Sequence, residues 1–250
     1  MKAAFVIMRK EIKENIITPK GFLWYILTSA ILSIMSYLFL TNSELSLLDQ
    51  GQMLYMIMNL SAALGILIGI VFGADAFAGE IERGTFESLS LSPVSKTGVA
   101  LGKLGAVLTD WGILFAISLP YLFVVGKGGQ SRLAGIAYLA VLGTLLTVIF
   151  SGFSMGLSAR VKSVKNSLLI TFFIFLLAGS PLFLSTALRT TWFGRLLDLI
   201  NPFADAINTF DSVVIDGQGF SYQIARVSII GAYTLLSLWF LKRGVTRLEM

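Results

Sequence analysis

The sequence predicts an all-α integral membrane protein of six transmembrane helices, and three observations carry that prediction. Hydrophobic residues fill 56% of the 250 positions and charged residues only 13%, against roughly 45–50% and 25% in soluble domains. The apolar residues lie in long runs, each close to the ~20 residues a helix needs to cross about 30 Å of hydrocarbon. The runs are continuous, whereas the strands of a membrane barrel alternate in polarity.

The six predicted spans are 22–40, 52–74, 104–126, 133–159, 166–188 and 224–241. Four are free of charge, the third carries Asp110, and the last has Arg226 near its start, where a long side chain is expected to snorkel to the interface. The chain has no cysteine and no histidine. A disulfide, a thiolate metal site, a Ser-His-Asp triad and an H-E-x-x-H metal site are therefore all excluded, and no metal or catalytic residue is assigned. Ala3–Met8 is too short for the apolar core of a signal peptide, so the first span is expected to direct insertion and to remain.

The net charge of +5 is unevenly placed. An even number of spans puts both termini on one side, together with Lys2, Arg9, Lys10, Lys13, Lys20, Arg83, Lys96, Lys103, Arg160, Lys162, Lys165, Lys242, Arg243 and Arg247. The other side holds Lys127, Arg132, Arg189, Arg195 and Arg226. The richer side is expected to be cytoplasmic. The basic residues then report topology and contact with anionic lipid. A nucleic-acid partner is not expected, because no basic stripe studded with aromatics accompanies them.

Three stretches are expected outside the hydrocarbon. Residues 1–20 read as an interfacial amphipathic helix, with Phe5, Met8, Ile12 and Ile16 on one stripe and Pro19 and Gly21 breaking it before the first span. Residues 189–223 read as two short external amphipathic helices separated at Pro202. Leu196, Leu199, Phe203, Ile207, Phe210 and Val214 share one face, with Asp198, Asp205, Asn208 and Asp211 off it. The third stretch, 80–103, is the most informative. It packs acids, a glycine and scattered apolar residues into one cytoplasmic turn, and Ser92-Pro93 has the form of a helix start, with serine as cap and proline at the first position. A short helix before Ser92 suits the transmission of force from a soluble partner.

Asp110 lies about 12 Å into the third span. A carboxylate at that depth must face protein or water, and Ser61, Asn59 and Ser154 are the expected partners. Asn59 is a second polar candidate for the same roles, structural or path-lining.

The 80–103 stretch resembles the cytoplasmic loop of the ABC-2-type (type-2 ABC exporter) permeases. The matching residues are Glu80, then Glu82-Arg83-Gly84-Thr85-Phe86-Glu87-Ser88-Leu89, Ser92-Pro93 and Gly102-Lys103, with Asn201-Pro202 after the fifth span. The resemblance implies an exporter permease in the cell membrane. Two such subunits, identical or paralogous, would enclose a substrate path, each resting on a soluble ATPase that holds ATP and magnesium. It implies that Glu80, Glu82, Arg83, Gly84, Thr85, Glu87 and Leu89 form a coupling helix docked on the ATPase. Gly84 is expected to supply close backbone approach or a positive φ. Asp110 and Asn59 are candidates for the translocation path.

The chain itself offers no ATP site. Gly98-Val-Ala-Leu-Gly102-Lys103-Leu104 has one residue too few between its glycines for a P-loop, and Leu104 stands where Ser or Thr would bind magnesium. A membrane-embedded enzyme would need clustered His, Asp or Glu, which is missing. An ion-coupled secondary transporter would show internal repeats and paired broken helices, and none is evident. The ion-coupled secondary transporter and a non-transporting membrane anchor for an ATPase are the two alternatives to a permease.

The orientation is testable in a chain without native cysteine. Ser163→Cys should react with a membrane-impermeant maleimide only after cells are opened; labelling in intact cells would reverse the topology.

Overall fold

A computed structural model describes residues 2–41, 50–86, 94–127, 132–183 and 191–248, and every regular element among them is helical. The helices are α1 (Lys2–Ile17), α2 (Pro19–Thr41), α3 (Gln50–Glu82), α4 (Lys96–Val125), α5 (Arg132–Val161), α6 (Val164–Gly179), α7 (Trp192–Ile200), α8 (Pro202–Val214) and α9 (Ile224–Thr246). Single 3-10 turns, Ser180–Phe183 and Phe220–Gln223, follow α6 and lead into α9.

Five described helices, α2, α3, α4, α5 and α9, are long and apolar enough to cross a membrane, so this is a multi-pass membrane protein. Among the described residues five of the six expected spans are present. The predicted span 166–188 corresponds to α6, which has 16 residues and rises only about 24 Å. It passes into the 3-10 turn Ser180–Phe183, where Pro181 has no amide hydrogen to continue the α-helical ladder. Conversely, α3 has 33 residues and α4 has 30, longer than any bilayer core requires. Their polar ends continue past the apolar runs, and this places Glu80 inside α3 rather than in a loop.

α3 and α5 form the central pair, and a seam of small residues lets them touch. Gly65, Gly69 and Gly73 stand four apart on α3 and face Trp111, Thr147, Ser151 and Ser154. Lipid tails are as apolar as leucine, so helices in a membrane associate through such close packing and through polar contacts. Across the seam Ser154 Oγ donates to the Ile70 carbonyl at 2.8 Å and Ser158 Oγ to that of Ala74 at 2.7 Å. Trp111 of α4 wedges between Gly65 and Gly143, its Nε1 donating to Thr144 Oγ1 at 2.9 Å.

Around this pair α9 packs on α5, α6 on both α3 and α5, and α4 carries α1 and α2 on its outer side. α4 begins at Lys96 with Ser95 as its cap: Ser95 Oγ accepts from the Gly98 amide at 3.2 Å. The expected cap, Ser92-Pro93, lies outside the described residues. Lys96 Nζ also donates to the Leu248 carbonyl, closing the end of α9 onto the start of α4.

The two helices expected between the fifth and sixth spans are present as α7 and α8. Of these α8 is no surface element: nearly every residue is buried, and it packs on α9, α5, α3 and α6. Asp205, expected off the apolar face, is buried too. Asn201 explains the geometry. Its Oδ1 accepts from the Phe203 and Ala204 amides at 3.0 and 3.3 Å, its Nδ2 donates to the Ala178 carbonyl at 2.6 Å, and Pro202 fills the first helical position. Arg226 does not simply snorkel. Its guanidinium donates to Asn208 O, Ser212 Oγ and Gln223 Oε1 at 3.1, 2.9 and 3.1 Å, fastening α8 to α9.

Candidate functional site

α3 ends in a Schellman turn built by the sequence Glu82-Arg83-Gly84-Thr85. Gly84 has φ +69°, the left-handed conformation that only glycine adopts without strain. Its amide donates to Ile81 O at 3.1 Å, and the Thr85 amide donates to Glu80 O at 2.9 Å. Thr85 Oγ1 reaches the same Glu80 carbonyl at 3.3 Å. Open space surrounds the position where a Cβ on Gly84 would sit. The positive φ expected for Gly84 is present.

Glu80 faces inward one turn before this cap. It is 5% exposed and Lys103 of α4 is 2% exposed. Lys103 Nζ donates to Glu80 Oε1 at 2.9 Å and to Glu11 Oε1 of α1 at 2.8 Å, and lies 5.7 Å from the centre of the Phe77 ring. Removing a lysine from water costs several kcal/mol unless good partners surround it; two carboxylates and an aromatic face do so here. Lys10, more than half exposed, adds looser contacts at 3.9 Å to Glu80 and 3.6 Å to Glu14, of the kind worth little in water.

α1 reaches Lys103 because α4 presents glycine beneath it. A Cβ on Gly102 would stand 2.7 Å from the Ala4 carbonyl oxygen, and one on Gly105 would stand 2.7 Å from Met8 Sδ. The face of α1 turned to the protein is accordingly Ala4, Ile7, Met8, Glu11 and Asn15. Of the stripe read from the sequence, Met8 and Ile12 are half-buried and Phe5 and Ile16 are exposed; the glycine floor of α4 selects the seated face.

Asp110 sits two turns further along α4. It accepts from Asn15 Nδ2 of α1 at 2.6 Å and from Tyr25 OH of α2 at 2.8 Å. The expected partners Ser61, Asn59 and Ser154 are not the ones used; Ser61 and Ser154 donate to backbone carbonyls instead. A carboxylate within the hydrocarbon costs about 2.5–3.5 kcal/mol. A hydrogen bond to a charged acceptor returns about 1.5–3 kcal/mol, so two such donors match the cost. Asn59 is half-buried on α3, and its Oδ1 has no hydrogen-bond partner.

The other expected docking residues divide clearly. Glu82, Arg83, Gly84 and Thr85 are exposed. Glu82 Oε1 accepts from the Val164 amide at 2.8 Å and so caps α6, whose own cap residue Ser163 makes no such bond. Arg83 pairs with Asp75 at 3.2 Å. Glu87 and Leu89 lie outside the described residues. Sequence reasoning missed Glu11, Asn15 and Tyr25. The i, i+4 spacing of Glu11 and Asn15 marks one polar face of α1, but nothing in it names partners more than 80 positions away. A cavity of about 300 Å³, lined in part by Glu14, Asn15, Asp75, Arg83 and Lys103, lies beside the network. Among the described residues no group of three or more Asp or Glu is arranged to hold a metal ion. One residue, Glu80, belongs at once to the exposed turn and to the buried junction of α1, α3 and α4.

Asp110→Asn should keep both contacts, its amide oxygen accepting from Asn15 and its NH2 donating to Tyr25, and should change stability by less than about 1 kcal/mol. Asp110→Leu should cost about 1–3 kcal/mol for each partner left unsatisfied. Thermal unfolding in detergent reads the difference; equal loss in both variants would mean that the charge itself holds α1.

Comparison with known proteins supplies the family. Residues 4–243 match the family profile described as ABC-2 family transporter protein. No curated protein matches the chain. The match spans nearly the whole chain, and the turn, the Gly102-Lys103 pair and the Asn201-Pro202 cap that carried the resemblance each have a structural role here. The chain belongs to the ABC-2 family of membrane transport proteins.

Proposed function

We propose that this chain is the membrane-spanning permease subunit of an ATP-binding-cassette exporter. It moves its substrate by alternating access, driven by ATP and magnesium bound on a separate ATPase subunit, and carries no cofactor and no catalytic activity of its own. A second permease subunit, identical or paralogous, completes the path. The assembly sits in the plasma membrane with both termini of each permease in the cytoplasm.

One observation supports this reading above the others: the exposed Schellman turn shares Glu80 with the buried ion network. A partner that pushes on Glu82, Arg83, Gly84 and Thr85, and on Glu87 and Leu89 beyond them, moves Glu80. Through Lys103 it moves α4 and, through Glu11, α1. Such a linkage lets differential contacts with a nucleotide-driven partner bias two arrangements of the helices. A passive anchor for an ATPase needs no such linkage. Asn59, with its unpaired oxygen, is the better candidate to line the path; Asp110 is committed to holding α1 and α2.

Gly84→Val tests the docking role. The new side chain has room, so the substitution strains only the turn, by roughly 1–2 kcal/mol for a non-glycine residue at positive φ. The tagged wild-type chain, purified in mild detergent from its native host, should bring down a P-loop ATPase. Gly84→Val should reach the membrane at normal levels yet recover about fivefold to thirtyfold less of it, the equivalent of that strain. Recovery of the ATPase at the wild-type level would remove the turn from the interface, and the absence of any P-loop ATPase would remove the proposed function.

A further inference from the structure

At the shared end of α5 and α9, away from the ion network, three arginines gather beside an apolar groove. The Arg160 guanidinium lies 4.0 Å from the centre of the Phe240 ring, and that of Arg243 lies 5.2 Å from the Trp239 ring. Arg247 and Arg243 are near enough for their charges to act on Arg160. All three are exposed, and none pairs with a carboxylate among the described residues.

The same two aromatic rings wall a groove of about 360 Å³ between α5, α6 and α9, closed at its far end by Pro202 and Tyr233. Phe153 stacks on Phe240 at 4.8 Å to form its floor near the arginines. Leu236 and Trp239 form an outward rim, 58% and 54% exposed, and in a multi-pass membrane protein that rim meets lipid. From Phe240 to Tyr233 the groove follows α9 for about 10 Å.

We propose that this groove binds an anionic phospholipid, with its phosphate on Arg160 and Arg243 and an acyl chain laid against Phe153, Leu236 and Phe240. Three like charges gathered without an acid among the described residues call for a counterion. Guanidinium forks match phosphate oxygens in pairs, and stacking on the rings holds both forks at the mouth of the groove. The apolar walls select a ligand with a tail, and the net positive charge disfavours a headgroup that carries its own cation. Arg247 lies one helical turn beyond Arg243 and strengthens that selection. A free phosphate would use only the arginines, and a second copy of this chain would bring its own cations to the patch.

The test uses the full-length chain purified in detergent, with phosphatidylglycerol, phosphatidylcholine or inorganic phosphate added. Retained lipid is counted by native mass spectrometry and the unfolding midpoint is followed. Phosphatidylglycerol should be retained and should raise the midpoint well above either of the others. Arg160→Gln with Arg243→Gln should weaken retention roughly tenfold to thirtyfold. Lys162→Gln with Lys165→Gln, which removes equal charge between α5 and α6, should leave it unchanged. Leu236→Trp, which fills the rim, should weaken it with every arginine in place, and Arg160→Lys with Arg243→Lys should keep most of the preference even if the glutamine pair folds poorly. Equal retention of the two lipids, equal stabilisation by inorganic phosphate, loss of the preference on dimerisation, or full retention by the glutamine pair would each overturn the site.

Discussion

Lys103 places an ammonium where almost no water reaches it, and two carboxylates from two other helices close on it. An unpaired charge there would cost several kcal/mol, more than one weak contact returns. Lys103 therefore requires Glu80 and Glu11 at hydrogen-bond distance, and this requirement positions α1 and the end of α3 relative to α4. Gly102 and Gly105 clear the floor on which α1 lies. Asn15 and Tyr25 then meet Asp110 one level deeper. The two polar levels and the glycine floor form a single joint. Each fails without the others, because α1 exposes Phe5, Val6 and Ile17 on its far side and has no other attachment of comparable extent.

The rest of the bundle is held differently. Between α3 and α5 the contact is dry and close, with glycine against serine and threonine and hydroxyls donating to carbonyls across the seam. Such packing is rigid, and an interface without charge offers an approaching partner little to act on. The ionic joint lies at the end where α3 runs past its apolar stretch into an exposed glycine turn. In the reading proposed here, the dry seam keeps the central pair together while the ionic joint carries movement from the turn to α1 and α4.

Much of this was legible in the sequence, for physical reasons. Continuous apolar runs identify membrane helices because hydrocarbon thickness sets a minimum length. Gly84 announced a positive φ, and Asn201-Pro202 announced a helix start, because both effects are local to two or three residues. The ends of α3 and α4 were drawn short because hydropathy measures contact with lipid, whereas backbone hydrogen bonding continues through Asp75, Glu80 and Lys103. In the fifth predicted span the α-helix gives way to a 3-10 turn at Ser180–Phe183, around Pro181, and residues 184–188 of it lie outside the described residues. The partners that α1 and α2 bring to Lys103 and Asp110 were not legible at all: they lie 92, 95 and 85 positions away in the chain. Burial of α8 was hidden for the same reason: its aspartates read as a wet face, and Arg226, which brings donors to its carbonyl and hydroxyl groups, comes from another helix.

The central claim is that Glu80 and Lys103 act as one buried unit. Glu80→Gln, Lys103→Met and the double variant, unfolded by heat in the same detergent, measure that directly. Lys103→Met should be severe, up to about 3–5 kcal/mol, because it leaves Glu80 and Glu11 without their shared buried cation; Glu80→Gln should cost less, because Glu11 still pairs with Lys103. The double variant should cost clearly less than the sum, with a coupling of at least ~1 kcal/mol. Costs that add within about 0.5 kcal/mol would show two independent residues, and the joint between the turn, α1 and α4 would not exist.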